Sequence, residues 1–408
     1  MQIKQSSCPR RRRLFHERSN GGAGRPGQAG PLSARLLEKT MNMTYHTLGK
    51  SGLKVTRLAL GTMTFGTEWG WGADKETARS MFDAYVDAGG NFFDTADAYT
   101  GGTAESWLGE FIAERGLRED AVIASKFSMN LEASSPNAAG NGRKNILRAV
   151  EGSLKRLNTD FIDLYFLHCW DRLTPPEEVM RTLDDLVRSG KVRHFGLSDV
   201  PAWYASRAQA IAEHRGYEPI SALQLEYSLA ERNIENEFVP LGTRYGAGIM
   251  VWSPLASGLL SGKYRPGERG QAVGRLETVR GSSNPGFQKF TERNWAIVVE
   301  LEKVSVELGR SMAQIALNWV ITQPGVASVI LGATKLEQIT DNMGALDFVI
   351  PAEMRERLNT VSAPPATFPY SFFGAEIQGS LTGGKTLGDK PSGYYPDLEM
   401  SGRFAGVK

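Results

Sequence analysis

The chain has 408 residues with 47 basic and 45 acidic side chains, which gives a formal net charge of +2. This near balance provides no overall field that would favour nucleic acid or an anionic membrane surface. No run of about 18 apolar residues indicates a membrane-spanning helix. Cys8 and Cys169 lie far apart without a metal-ligand spacing, so neither a disulfide framework nor a metal site is indicated. We therefore expect a cytoplasmic protein that acts on small molecules, without nucleic-acid or membrane partners.

Residues 1–43 form a basic segment without a periodic hydrophobic pattern. Its composition favours a disordered tail, and the apolar region of a secretory signal is missing. An Arg- and Ser-rich targeting peptide is the alternative, with which Glu17 and the Gly and Pro content disagree. The segment GAGRPG (22–27) has the spacing of a dinucleotide-binding motif, but no apolar strand precedes it and Pro26 stands where a helix would begin. We therefore reject it as a cofactor site.

Short apolar runs alternate with amphipathic stretches through residues 44–361, which we interpret as one domain. The predicted strands are 57–61, 91–94, 121–126, 161–168, 192–198, 222–227, 248–253 and 327–332. The clearest predicted helices are 75–88, 146–157, 176–189 and 201–214. Continuous apolar strands are typical of parallel sheets that are buried on both faces. Eight such units without a glycine-rich phosphate turn at the start favour an α/β fold of the (β/α)8 TIM barrel type over an open doubly wound sheet.

Both ends of this domain carry additional features. The segment YHTLGKSGLKVTR (45–57) predicts an N-terminal hairpin, with its turn at 49–52, that closes the barrel floor. Residues 362–408 are rich in Gly, Pro and aromatic residues without a period, which predicts a C-terminal tail. The aromatic segment FPYSFFG within this tail suggests that it covers the mouth of a pocket.

Catalytic residues of such barrels lie where the strands end. Asp94, Lys126 and His168 stand at predicted strand ends, and Tyr99 follows Asp94 closely. Each has a structural explanation when taken alone: Asp94 as a loop cap, Lys126 as a solvated rim charge, and His168 as a core imidazole. Their coincidence on one face of the barrel is the stronger sign of a functional site.

The chemistry of these four side chains is complementary. A free phenol titrates near about 10 and a lysine near about 10.4, so neither alone carries protons well at neutral pH. An ammonium of Lys126 beside Tyr99 would lower the pKa of the phenol, while Asp94 would hold the lysine charged and in position. Tyr99 would then serve as a general acid, and His168 would orient a carbonyl oxygen or share in its protonation. This arrangement suits hydride reduction of a carbonyl, with the hydride supplied by a cofactor.

The sequence resembles the aldo-keto reductase superfamily over residues 44 to about 361. The resemblance is carried by LALGTMTFG, NFFDTADAY, AESWLG, VIASKF, SLKRLNTDFIDLYFLHCWD, GKVRHFGLS, LQLEYS, WSPLASGLLSGKY and VILGATKLEQITDNMGAL. It implies a (β/α)8 barrel that binds a nicotinamide cofactor, usually NADPH, without a Rossmann fold. It also implies a catalytic tetrad of Asp94, Tyr99, Lys126 and His168, the residues that the strand ends had indicated.

The same resemblance implies a set of cofactor contacts. Gln224 matches the residue that binds the nicotinamide carboxamide, with Ser198 beside it, and Trp252 matches the aromatic residue that stacks on the nicotinamide ring. The loop that closes over the pyrophosphate matches Ser253, Pro254, Leu255, Gly258, Leu259, Ser261, Lys263 and Arg265. The adenosine end matches Gly332, Thr334, Lys335, Gln338, Asp341 and Asn342, and the remaining implied contacts are Gly61 and Thr62.

Two positions depart from the family pattern. Asp199 stands where many members have asparagine, and an ionised carboxylate cannot donate a hydrogen bond to the carboxamide oxygen. Gln338 stands where many members have arginine, so a 2′-phosphate would depend on Lys335, Lys263 or Arg265. Lys335 precedes a predicted helix, whose N-terminus suits an anion. We therefore expect NADPH as the cofactor, with NADH as the alternative.

Two other classes of function compete with a reductase. Several motifs are also similar to the β subunits of voltage-gated potassium channels, which carry cofactor mainly as regulatory partners. Those proteins differ at the histidine of the tetrad, whereas this chain retains His168, which favours a working reductase. A scaffold barrel without cofactor would leave the pattern of Gln224 and Trp252 unexplained.

The sequence indicates only the chemical class of the substrate. Loops after the predicted strands supply an apolar aromatic set that suits bulky or aromatic carbonyls: Phe65, Trp69, Phe127 and Trp170, with Trp71 and Met129 beside them. The alternative is that these loop aromatics pack under the C-terminal tail. No heptad pattern or apolar stripe indicates an oligomeric state.

Overall fold

Parallel strands close into a barrel in the computed structural model, which describes residues 43–129, 135–265, 276 and 282–385. A hairpin of β1 (Tyr45–Thr47) and β2 (Lys54–Thr56) comes first. The barrel strands follow as β3 (Leu58–Gly61), β4 (Phe92–Asp94), β5 (Val122–Phe127), β6 (Ile162–Leu167), β7 (Val192–Ser198), β8 (Ala222–Glu226), β9 (Gly248–Trp252) and β10 (Val326–Leu331). Neighbours around the barrel follow chain order, and β10 pairs in parallel with β3 to close it. The predicted (β/α)8 barrel is confirmed, and each strand end lies within one residue of its prediction.

Helices surround the barrel and connect its strands. They are α1 (Lys75–Asp87), α2 (Thr103–Glu114), α3 (Arg143–Leu157), α4 (Pro176–Arg188), α5 (Ala202–Arg215), α6 (Phe238–Tyr245), α7 (Glu292–Leu308), α8 (Met312–Ile321), α9 (Leu336–Met343), α10 (Ala352–Ser362) and α11 (Ala375–Leu381). The side chain of Asp74 caps α1 by accepting from the Thr77 N–H at 2.8 Å. Pro176 occupies the first turn of α4 as predicted, whereas Pro201 lies just before α5.

The N-terminal hairpin closes the end of the barrel at which the strands begin. Leu48 and Val55 are fully buried in a cluster with Phe92, Val122 and other residues near the strand starts. The Lys50 N–H donates to the carbonyl of Gly246 at 2.8 Å, which ties the hairpin to the segment before β9. Gly49 has φ +57°, and a Cβ there would lie 2.3 Å from the Gly246 oxygen, so the close approach requires glycine. The predicted closure of the floor is confirmed.

The two tails are covered only in part. Residues 1–42 and 386–408 lie outside the described residues, as does the prediction of a disordered N-terminal tail. In the described part of the C-terminal segment, the Tyr370 hydroxyl is hydrogen-bonded to Glu237, just before α6. Phe368 is 81% exposed and Phe372 is 55% exposed. A membrane-crossing helix, long and apolar enough to span a bilayer, is absent from the part of the chain that the structure describes.

Candidate active site

Lys126 is the centre of a buried polar cluster at the C-terminal ends of β4 and β5. Its ammonium donates to Asp94 Oδ2 at 2.8 Å, to the Thr95 carbonyl at 2.8 Å and to the Tyr99 hydroxyl at 3.1 Å. Asp94 Oδ1 accepts from Gln224 Nε2 on β8 at 2.7 Å. Lys126 is fully buried and Asp94 nearly so. All donors of the ammonium and both oxygens of the carboxylate are therefore engaged inside the barrel mouth.

Local backbone contacts set this geometry. The N–H and the hydroxyl of Thr62, after β3, both donate to the Asp94 carbonyl, at 2.8 and 3.1 Å. The Asp97 N–H donates to the Lys126 carbonyl at 3.1 Å, so the loop after β4 is tied to β5. Thr100 then has φ 47°, an unfavourable conformation for a β-branched residue, which turns the chain directly after Tyr99. The backbone on both sides of Tyr99 therefore helps to position its phenol next to Lys126.

His168 completes the group from the end of β6. Its ring centroid lies 5.8 Å from that of Tyr99 in an edge-to-face arrangement. The backbone N–H of His168 donates to the Phe127 carbonyl at 3.0 Å, which fixes the backbone of His168 next to β5. Burial lowers the pKa of His168 to about 3, and the nearby ammonium of Lys126 contributes in the same direction. The imidazole is therefore neutral at physiological pH and offers one N–H donor and one acceptor.

Burial and charge compete for the protonation of Tyr99 and Lys126. Burial raises the pKa of the Tyr99 phenol, and this outweighs the lowering by Lys126. For Lys126, burial alone would lower the pKa, but Asp94 and Tyr99 raise it above its ordinary value. The sequence predicted a lowered pKa for Tyr99 because burial was not included. The structure instead keeps the phenol protonated, which is the form that an acid catalyst requires.

The residues assigned to the nicotinamide end lie together on neighbouring strands. Ser198 ends β7 and Gln224 lies beside it on β8, where the two pair in register. The Ser198 hydroxyl is buried and has no hydrogen-bond partner among the residues described. Trp252 ends β9, and its indole Nε1 donates to Asp199 Oδ1 at 3.1 Å. A buried hydroxyl of this kind is a group that a polar atom of a ligand could satisfy.

The loop after β9 has an unusual backbone. Ser253, Ala256, Ser257 and Gly258 all have positive φ, between 49° and 91°. This conformation is strained for non-glycine residues, and strained residues of this kind concentrate at functional sites. Gly258 lies under the ammonium of Lys263, since a Cβ there would be 2.7 Å from Lys263 Nζ. The loop thus presents a tightly turned backbone with a cation directly over it.

The remaining assigned residues divide into surface and structural positions. Gln338 Oε1 accepts from the Thr334 N–H at 2.9 Å, so this side chain folds back on the segment just before α9. Asp341 accepts from Ser311 Oγ at 2.7 Å and thereby links α9 to α8. Arg265 is paired with Glu302 at 2.9 Å. Lys335 is exposed at the start of α9 and Asn342 is buried within that helix. Gly61, Pro254 and Leu259 are buried, Leu255 and Ser261 are half-buried, and Gly332 is exposed.

The predicted substrate pocket requires a correction. Phe65 and Phe127 are completely buried and pack against Phe111 and Tyr165, so neither can line a pocket. Side chains alternate along a strand, and because Lys126 points into the barrel, Phe127 points to the helix layer. This alternation was readable from the sequence and would have excluded Phe127.

Trp69 and Trp170 remain at the barrel mouth. Trp69 packs edge-to-face on Tyr99 with ring centroids 6.4 Å apart, and it also contacts Trp71 at 5.4 Å. Trp170 packs edge-to-face on Trp203, a residue of α5 that the sequence analysis missed, at 5.6 Å. Aromatic walls therefore lie on the β3 and β6 sides of the mouth.

Comparisons with known proteins agree with this geometry. Residues 57–363 match the model of the aldo/keto reductase family. A probable voltage-gated potassium channel subunit beta of Oryza sativa subsp. japonica is 38% identical over 325 residues, which are 79% of this chain and 96% of the relative. An uncharacterized oxidoreductase of Bacillus subtilis is 36% identical over 333 residues, 79% of this chain and 97% of the relative. An aryl-alcohol dehydrogenase of Pestalotiopsis microspora is 31% identical over 338 residues, 81% of this chain and 85% of the relative.

Proposed function

Because the chain belongs to the aldo/keto reductase family, we propose that it reduces aldehydes or ketones to alcohols with NADPH, using Tyr99 as the general acid. The observation that carries this proposal is the contact of Lys126 Nζ with both the Asp94 carboxylate, at 2.8 Å, and the Tyr99 hydroxyl, at 3.1 Å. Burying a lysine costs free energy unless its charge is compensated. A buried charge that shares its partners with a phenol in a barrel mouth is typical of a catalytic site.

The residues at the mouth fit a nicotinamide dinucleotide. The unpartnered Ser198 hydroxyl, with Gln224 beside it, suits a carboxamide, and Trp252 offers an aromatic face. Lys263 over the turned backbone at Gly258 suits the pyrophosphate, because cations and tight turns both favour anionic oxygens. Lys335 would hold the 2′-phosphate, since Arg265 is engaged by Glu302. When bound, the nicotinamide supplies the hydride.

The side chains of the cluster would divide the work on the carbonyl. Tyr99 donates its hydroxyl proton to the carbonyl oxygen as negative charge develops there. The ammonium of Lys126, 3.1 Å from that hydroxyl, stabilises the resulting phenolate, and Asp94 keeps the ammonium in place. His168 is neutral, so it orients the carbonyl oxygen by donating a hydrogen bond and does not itself protonate it.

We propose an aromatic or similarly bulky carbonyl as the substrate class. Trp69, packed edge-to-face on Tyr99 at 6.4 Å, stands beside the reacting hydroxyl. The pair of Trp170 and Trp203 provides the opposite wall. Flat rings gain from such contacts beyond the apolar area that they bury, whereas a sugar would need more polar walls. The similarity to an aryl-alcohol dehydrogenase supports the same class.

A regulatory role is the second candidate, because a probable potassium channel β subunit is among the relatives. It would also use the cofactor site, but it would not need the proton-donating cluster to turn over. The neutral His168 beside Tyr99 favours catalysis.

The deciding experiment is a turnover assay. The full chain is offered a panel of aromatic and aliphatic aldehydes and ketones with NADPH or NADH, and loss of the reduced nicotinamide absorbance is followed. We expect reduction of aromatic carbonyls, with NADPH preferred. Binding of NADPH without turnover of any panel member would contradict the enzymatic proposal and favour the regulatory role. In parallel, Trp252→Ala should weaken NADPH binding and its quenching of tryptophan emission, and an unchanged affinity would remove Trp252 from the site.

A further inference from the structure

Asp199 lies between the two sides of the barrel mouth. Its carboxylate accepts from Trp252 Nε1 at 3.1 Å, and its backbone carbonyl accepts from the Trp170 N–H at 3.3 Å. Its φ is 47°, in the left-handed region, which aspartate and asparagine tolerate better than most side chains. The residue is thus tied both to the indole assigned to the nicotinamide and to the loop assigned to the substrate.

The charge of Asp199 is not cancelled by a neighbour. In the described ranges of the chain, Asp199 forms no ion pair within 4.0 Å. The nearest charged groups already have other partners: Lys126 is bonded to Asp94 at 2.8 Å, and Glu226 on β8 is paired with Lys289 at 2.8 Å. Tyr99 and Cys169 also face Asp199, and both are uncharged at neutral pH because their pKa values are raised. The carboxylate therefore acts on whatever occupies the pocket beside Trp252.

We propose that the Asp199 carboxylate makes this site prefer the oxidised nicotinamide, a cation, over the reduced nicotinamide, which is neutral. The inference rests on the proposed function, in which the ring stacks on Trp252. Asparagine, which many members of the family have at this position, would supply hydrogen bonds without charge. With partial solvent screening, one unit charge a few ångströms from the ring should change relative affinity by about tenfold.

This preference has a consequence for reactivity. A tenfold preference for the oxidised form lowers the reduction potential of the bound two-electron couple by about 30 mV. Asp199 would also stabilise the positive charge that a nicotinamide would gain on giving up hydride. The same contact would slow release of the oxidised cofactor, so inhibition by that product should be pronounced.

The Asp199 side chain is exposed at the barrel mouth, so solvent screens its carboxylate and keeps the effect of its charge on a ligand modest.

Two variants separate charge from orientation. Asp199→Asn keeps a side-chain oxygen for the Trp252 N–H and tolerates the left-handed backbone, but it removes the charge. Trp252→Phe keeps the charge and an aromatic face, but it removes the N–H that Asp199 orients. The full-length chain and both variants are titrated with NADP+ and with NADPH by calorimetry at about pH 8, where an exposed carboxylate is ionised.

In the unmodified chain and in Trp252→Phe, we expect the affinity ratio to favour NADP+ about tenfold more than in Asp199→Asn. Asp199→Asn should lose this preference while still binding both forms. A ratio unchanged in Asp199→Asn, or lost equally in Trp252→Phe, would overturn the charge proposal and leave the proposed function intact. Failure of the unmodified chain to bind either cofactor would overturn both.

Discussion

Asp94 and Asp97 lie three positions apart in the chain, yet the structure treats their carboxylates in opposite ways. Asp94 accepts from Lys126 at 2.8 Å and from Gln224 at 2.7 Å. Asp97 is only 1% exposed, and neither of its carboxylate oxygens has a hydrogen-bond partner in the described part of the chain. Burial, together with the charge of nearby Glu105, raises the pKa of Asp97 to about 7. The Asp94 carboxylate is fully hydrogen-bonded within the cluster, whereas the Asp97 carboxylate is buried without a hydrogen-bond partner among the described residues.

Replacing Asp97 should therefore change stability more than turnover. In the unfolded chain an aspartate titrates near about 3.9, so wild-type stability should fall as pH rises from about 4 through about 7, by on the order of a few kcal/mol. Asp97→Asn removes this loss and should unfold at a higher temperature than wild type at about pH 8, with the difference shrinking as the solution is acidified. Thermal unfolding across pH measures it. A variant that is less stable than wild type at every pH would contradict this account of Asp97, while carbonyl reduction should be nearly unchanged.

The phenol of Tyr99 is the group that we expect to carry proton transfer. Tyr99→Phe keeps the ring, so folding and NADPH affinity should persist, while reduction of simple aldehydes should fall by about 10² to 10⁴-fold. Tyr165→Phe is the matched control, because the hydroxyl of that buried tyrosine has no hydrogen-bond partner within the described residues. Steady-state kcat and calorimetric affinity are compared for both. Near-normal turnover in Tyr99→Phe would require another acid.

Loss of the Asp94 charge should lower turnover more than Asp97→Asn does and less than Tyr99→Phe does. Asp94→Asn leaves Lys126 buried without its partner carboxylate, so turnover should fall and the pH at which activity is lost should shift as the lysine becomes easier to deprotonate. The pH profile of kcat/KM, taken beside that of Asp97→Asn, tests this. Identical profiles for the two variants would mean that Asp94 has no special relation to Lys126.

Lys335 should bind NADPH more strongly than NADH. It is exposed at the N-terminus of α9, a position that suits the 2′-phosphate. Lys335→Ala should weaken NADPH binding more than NADH binding, and Arg265→Ala should affect both little because Arg265 is paired with Glu302 at 2.9 Å. Affinities of both cofactors for both variants provide the measurement. If Arg265→Ala alone discriminated, the phosphate contact would belong to Arg265.

The C-terminal segment should affect substrate and not cofactor. A chain that ends at Ser362 retains the bond from Arg232 to that serine but loses Tyr370 and the exposed aromatics after it. We expect altered KM for bulky carbonyls with NADPH affinity retained. Tyr370→Phe, which removes only the hydroxyl bonded to Glu237, is the milder comparison. Equal KM values for the truncated and full chains across several substrates would exclude a role of this segment over the pocket.

Much of the site was readable because the barrel repeats one simple rule. Chemistry lies where strands end, and the sequence placed Asp94, Lys126, His168 and Trp252 within a residue of those ends. Phe65 was misassigned because a loop aromatic does not reveal from sequence which way it points, whereas Phe127 was misassigned because its alternation with Lys126 along the strand was not applied. Trp203 was missed because it lies within α5, whereas the candidate pocket residues were taken only from the loops after predicted strands.

The sequence by itself determined the strands, their order and the identity of the polar residues at their ends, because period, length and turn residues are local properties. Only the tertiary structure decided the protonation of these groups, because a pKa depends on burial and on charges from other strands. Burial keeps Tyr99 protonated although Lys126 favours the phenolate, and it makes His168 neutral. The Asp97 carboxylate is left without a hydrogen-bond partner among the described residues. The tertiary structure also joins Asp199 to Trp252 across 53 positions of chain, a contact that exists only because β7 and β9 end on the same face of the closed barrel.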